Sequence, residues 1–321
     1  MVHAKMSFDL VVPPDFEVDD WVVYTPVAPS LSRQSDSRST FSTRDRSVSA
    51  QVVKERSPLQ RPVQVIRVQH AGKKYGRALP VQADFWMVLH TSKLVPGKAE
   101  KPVADLPPGE KKQNLLPTFS LDYNSEPVQS WLTKHKLKKT AAESDIEFAW
   151  RLFETLKEKY GYNWSPTLDR RASKTVAIDA TDCGGLSYLY CSALRANGIP
   201  ARVLIGRNAK STKGIEDGSG YFNCHVKSEF FAKGIGWIPV DVSRAISYPD
   251  ADPMRYFGTD PGNFITLHEN PDMILDSFHS GLKRIRSMQD FRYWIKGNGL
   301  YRPPQRRIEW TVEKLTNKRT N

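Results

Sequence analysis

Cysteine is scarce: the 321 residues hold three, at positions 183, 191 and 224, and none stands in a Cys-x-x-C pair. That argues against a disulfide framework and against a structural zinc site, and no metal or cofactor is expected. Also missing is any run of the roughly 18 to 20 apolar residues that a membrane helix requires, so no transmembrane segment is expected. Residues Met1 to Met6 lack the apolar stretch of a secretory signal. The compartment stays open, cytoplasmic or secreted after loss of a leader not contained in this sequence. Acidic residues are outnumbered, 35 Asp and Glu against 47 Lys and Arg, for a formal charge of +12. A field of that sign attracts an anionic surface or polymer in a salt-sensitive way. No nucleic-acid-binding motif accompanies the charge, so specific nucleic-acid binding is not expected and a solvated basic surface is the plainer account.

What is present suits a folded, loop-rich protein long enough for two domains, with 39% hydrophobic residues and 22 prolines spread along the chain. From Phe8 to about Val95 no helical period is sustained. Val81, Ala83, Phe85, Met87 and Leu89 alternate with more polar neighbours, the period of a strand with one buried face. Trp21–Tyr24 and Val63–Val68 are shorter β-rich runs. The Ser- and Arg-rich stretch 30–57 is read as polar edge strands and turns, because Phe41, Val48, Val52 and Val53 still punctuate it. Residues 1–100 are therefore expected to form a β-sandwich of immunoglobulin-like size. A proline- and lysine-rich connector follows at 101–117. A second domain, 118–321, opens with a short helix over Pro127–Lys136. A longer helix follows, started by the capping box Ser144-Asp-Ile-Glu147 and stopped by Gly161. Near the end, Phe291–Lys296 and Ile308–Glu313 alternate like strands. They are expected to extend the second domain's sheet or cover its groove, and the tail from Asn317 is expected to fray.

The stretch with chemical content is Asp179-Ala-Thr-Asp-Cys-Gly-Gly-Leu-Ser187. Thr181 and Asp182 can cap a helix, and Leu186, Leu189, Tyr190, Ala193 and Leu194 share one helical face, so the helix begins at about Cys183. A thiol at the positive end of a helix favours the thiolate. Gly184 and Gly185 are expected to leave room beside it for another backbone or a substrate chain. A nucleophilic thiolate needs a base and a group to hold that base. Downstream, Gly220–Phe231 reads as a strand carrying His225, and Gly234-Ile-Gly-Trp-Ile-Pro-Val-Asp241 as a turn and a strand ending at Asp241. Two antiparallel neighbours so joined bring His225 and Asp241 side by side, with Cys183 facing His225 from the helix. Singly, each has a bland reading: Cys191 and Cys224 as packing residues, His90 as a satisfied core histidine, Asp241 as a turn cap. Cys224 is expected on the opposite sheet face from His225.

Asp-Cys-Gly-Gly at 182–185, Asn-Gly-Ile-Pro-Ala-Arg-Val at 197–203, a strand histidine and Gly-Trp-Ile-Pro-Val-Asp at 236–241 resemble the bacterial transglutaminase-like core of the papain-like cysteine enzymes. The resemblance runs from about Leu121 to Lys296 and is specific between Asp145 and Ala245. It implies an α+β fold, a papain-like core with a helix bundle packed on an antiparallel sheet, here preceded by the sandwich. It also implies Cys183 as nucleophile, His225 as base and acid, and Asp241 as its orienter. The main-chain N–H of Cys183 is expected to serve an oxyanion. Trp164, whose indole N–H can only donate, is the candidate for a second donor by analogy with animal transglutaminases; its plainer reading is a core or groove-wall aromatic.

The activity implied is acyl transfer on protein or peptide amides through a thioester. Water as acceptor gives a peptidase or amidase, favoured because nothing resembles the extra β-barrels or calcium sites of animal crosslinking enzymes. A lysine or polyamine gives a transglutaminase. A third reading is a catalytically silent scaffold that binds a protein partner through the sandwich. The insertion 208–220 before the histidine strand reads equally as a groove-side loop or a plain connection.

Overall fold

The computed structural model describes residues 1–95, 97, 101–212 and 223–315. Most of the insertion at 208–220 and the tail from Asn317 lie outside the described residues. None of the described helices is long and apolar enough to cross a membrane.

The first unit is two four-stranded antiparallel sheets face to face. One runs in the order Gln305–Lys314, Val2–Val11, Ala78–Leu89, Gln34–Thr43; the other runs Arg292–Gly299, Phe16–Pro26, Pro62–Val68, Gln51–Lys54. Strand alternation explains the pairing of faces. Along Ala78–Leu89, Leu79, Val81, Ala83, Phe85 and Met87 are fully buried while the residues between them are partly exposed. These side chains meet Phe8, Trp21 and Trp310 in one core. Each such large apolar side chain contributes about 1.5 to 3 kcal/mol through burial. The polar stretch 30–57 does form strands, at Gln34–Thr43 and Gln51–Lys54. His90 departs from its expected core position. It lies exposed at the end of its strand with Nε2 2.8 Å from Ser35 Oγ, because the alternation that buries Met87 has lapsed by residue 90.

The two late strands also differ from expectation. Gln305–Lys314 pairs with Val2–Val11, Phe8 opposite Ile308, and Arg292–Gly299 pairs with Phe16–Pro26, Val22 opposite Trp294. They complete the sandwich and do not extend the other sheet. Period-2 alternation fixes that a strand has a buried face but is silent on its partner.

The second unit has an antiparallel sheet in the order Gly236–Val240, Cys224–Ala232, Ala201–Asn208, Phe264–Glu269. The helix Cys183–Ala196 packs across Cys224–Ala232 and Ala201–Asn208. Residues Cys183 to Arg195 are buried on every side, so this helix is the centre of the core and not a surface helix with one apolar stripe. Two of its large hydrogen-bonding side chains there are satisfied: Tyr190 donates to Ala149 O (3.0 Å), and Arg195 donates to Ala201 O and Asn270 Oδ1. Helix Asp145–Lys159 packs on it and begins at the Ser144/Glu147 capping box.

The two units share side chains. Ile265 and Leu267, on the outer strand of the second sheet, sit in the sandwich core. Gln34 of the sandwich donates to Thr266 O and accepts from Thr266 N–H. Arg33 reaches the buried Glu229, which Arg202 also holds.

Candidate active site

Cys183 is the first residue of its helix. Asp182 precedes it as N-cap, its Oδ1 accepting from the N–H groups of Gly184 (3.0 Å) and Gly185 (3.1 Å). A buried carboxylate beside a thiol is compensated by Arg170, whose Nε donates to both Asp182 oxygens at 2.9 and 2.8 Å. Burial would pull the Arg170 guanidinium's pKa down, but Asp182 raises it above its ordinary value. The paired glycines serve this arrangement. A Cβ on Gly184 would lie 2.8 Å from Arg170 Cδ, and one on Gly185 2.1 Å from Thr181 Oγ1. The space expected for a substrate chain is filled by the protein itself.

His225 lies near the start of strand Cys224–Ala232, opposite Gly206. Asp241 ends strand Gly236–Val240, which is the antiparallel neighbour of the histidine strand. Pairing and turn place His225 Nε2 2.7 Å from Asp241 Oδ2. The other carboxylate oxygen of Asp241 accepts from Ser243 Oγ and Arg244 N–H, so the residue caps the following turn and faces the imidazole at once. On its other side His225 lies within hydrogen-bonding reach of the Cys183 side chain. Since Nε2 is committed to Asp241, Nδ1 is the nitrogen left for the sulfur. Burial alone would lower the His225 pKa, but the Asp241 charge and hydrogen bond, with Cys183, push it up to about 9. Burial would raise Asp241, yet His225 and Arg244 bring it down to about 2. At neutral pH the pair is therefore imidazolium and carboxylate.

Cys191 is fully buried in the same helix, and burial pushes its thiol up to about 11. Cys224 precedes His225 and faces the other side of the strand, 3.5 Å from an Arg207 nitrogen. Among the described residues no group of three or more His, Cys, Asp or Glu is placed to hold a metal ion.

Residues 134–242 match the family model of the transglutaminase-like superfamily. That segment, about a third of the chain, is similar to a transglutaminase-like core. Cys183, His225 and Asp241 all fall within it. No curated protein matches the chain. Among solved structures, a candidate cysteine protease from Cytophaga hutchinsonii is similar over 97% of this chain and 98% of its own, at 13% identity and a TM-score of 0.53. At that identity the likeness is one of fold, and it spans sandwich and core together. The periplasmic domain of TgpA from Pseudomonas aeruginosa is similar over 76% of this chain and 89% of its own, at 16% identity and a TM-score of 0.37.

Sequence reasoning does not single out two residues beside the thiol. Tyr162 is one: strand Gly161–Tyr162 pairs in parallel with Ala180–Thr181, setting Tyr162 level with Thr181, two residues before Cys183. Its phenol lies against both the thiol and the main-chain N–H of Cys183, and burial, Cys183 and Asp182 raise its pKa above the ordinary value. Trp164 sits two residues on, past the end of that pairing, and is half-buried. Arg170 is the other. A signal for it existed in the sequence: an N-cap aspartate beside a nucleophilic thiol calls for a cation, and Arg170 and Arg171 stand just upstream.

Proposed function

We propose that the protein is a cysteine peptidase or amidase acting on protein or peptide amides, with Cys183 as nucleophile, His225 as base and acid, and Asp241 as orienter. The observation that carries this reading is the contact chain from the Cys183 side chain through His225 to Asp241. The Cys183 sulfur attacks the amide carbonyl carbon and a C–S bond forms. His225 then gives its proton to the nitrogen as the C–N bond breaks, leaving a thioester and a free amine. Water follows: His225 takes its proton, the hydroxide oxygen attacks the thioester carbonyl, and the acid leaves as the thiolate is regenerated. The negative oxygen of each tetrahedral stage is met by the Cys183 N–H, and the Tyr162 hydroxyl beside that N–H serves as the second donor. Trp164 is assigned to the groove wall.

Mass spectrometry of a protein digest incubated with the enzyme tests the reading, with and without a primary amine. New amino termini or deamidated side chains are expected, and their loss in Cys183→Ala. Amine addition in place of hydrolysis would make the protein a transglutaminase. Unchanged turnover by Cys183→Ala would remove the mechanism altogether.

A further inference from the structure

A cavity of about 440 Å3 is walled in part by His225 and Asp241; Cys183 is not among its lining residues. In the reaction proposed above, the departing nitrogen takes its proton from Nδ1 of His225, beside the sulfur, and the rest of the amine fragment continues past the imidazole, which is a wall of this cavity. Its ionisable lining is one-sided. Lys227, Arg244 and Arg255 stand against Asp241, which is already engaged by His225. Lys227 is paired with Asp260, and Arg244 Nε lies 3.4 Å from Asp241 while its Nη2 donates to Asn208. Arg255 is exposed at the rim and has no acidic partner among the described residues; its guanidinium lies 6.0 Å from the Tyr256 ring centroid. Asp250 and Asp252, close by in sequence, do not line the cavity. The remaining walls include Tyr248, Tyr256 and Phe264, with the two tyrosine rings stacked at 6.4 Å.

We infer that this cavity binds an amine fragment carrying a carboxylate, with Arg255 as its selecting cation. The inference rests on the proposed direction of acyl transfer. Its chemistry disfavours the acceptors of crosslinking enzymes: a polyamine or lysine side chain would bring a further positive charge beside Arg255, since Lys227 and Arg244 already have their carboxylates. A carboxylate in the same place answers Arg255, which has five donors in a planar fork suited to that group. Both an acidic side chain and a terminal carboxylate supply it.

The test is saturation-transfer NMR on Cys183→Ala, which reports weak binding without turnover. The probes are Ala-Glu amide, Ala-Gln amide, Ala-Lys amide, and Ala-Ala with a free or an amidated end. Binding of Ala-Glu amide or of free-ended Ala-Ala at least tenfold tighter than the neutral probes is expected, and which of the two binds names the source of the carboxylate. Adding Arg255→Glu is expected to abolish that preference and to favour Ala-Lys amide. Equal binding of acidic and neutral probes, or an unchanged preference in the Arg255→Glu background, would overturn the inference. Carboxylate selection with no turnover of any amide by the native protein would instead count against the peptidase reading alone.

Discussion

His225 Nε2 and Asp241 Oδ2 stand 2.7 Å apart at the end of two antiparallel strands, a histidine held at about 9 by a carboxylate held at about 2. The two shifts express one interaction and are not to be added. The histidine's folded pKa lies above its ordinary value of 6.5. The stability it contributes is thus complete below about pH 6.5 and lost as pH rises through about 9. By the usual conversion this is roughly 3 kcal/mol. The aspartate's folded pKa lies below its ordinary value, so its contribution is present above about pH 4 and lost as pH falls through about 2. Equilibrium denaturation from pH 6 to 10 is expected to show stability declining across that window. In Asp241→Asn the alkaline decline moves toward the ordinary histidine value, and kcat/KM falls by about 10^3-fold or more.

Tyr162→Phe keeps the ring and removes one donor beside the Cys183 N–H. A loss in kcat of about 10^2-fold with KM nearly unchanged is expected, since the interaction is made only as the oxygen becomes negative. An equal rise in KM with kcat preserved would mark Tyr162 as a substrate contact.

Arg170→Ala strands the Asp182 carboxylate, which is 1% exposed, beside the thiol. Breaking a buried pair by removing one partner costs about 3 to 5 kcal/mol. A stability loss of that order in urea is expected, together with slower alkylation of Cys183 by iodoacetamide at neutral pH, because an uncompensated carboxylate opposes a second negative charge.

Glu229 is buried with Arg33 from the sandwich and Arg202 from the neighbouring strand. Burial would raise its pKa, but the two cations bring it to about 2. Glu229→Gln removes the carboxylate shared by two guanidinium groups, leaving Arg202 to Glu269 at 2.9 Å and Arg33 to Asp260 at 3.8 Å, and is expected to cost about 3 kcal/mol. Arg33→Ala, which leaves Arg202 paired, is expected to cost less. Chemical denaturation of both variants gives the comparison, and equal losses would show that Arg33 alone carries the pairing.

The site was legible where chemistry and local structure coincide. A capping aspartate, a thiol and two glycines can be read as a helix start from four consecutive residues, and a turn between Phe231 and Trp237 brings Asp241 to within two residues of the level of His225 on the neighbouring strand. What could not be read depended on distant pairing. Tyr162 reaches Cys183 only because Gly161–Tyr162 runs parallel to Ala180–Thr181, a match of two residues with no periodic signature. The closeness of Gly185 to Thr181 has the same character, since room left by a missing Cβ does not say what fills it. The strands near 292 and 305 show the limit most clearly: their buried faces were evident, their partners about 270 to 310 positions away were not.

Because Val2–Val11 has Gln305–Lys314 for one neighbour, one flank of that opening strand has no native partner in this sheet until about 300 further residues have been synthesised. Throughout that interval the nascent chain carries an open β-edge, a template on which another chain can pair until the last strand docks.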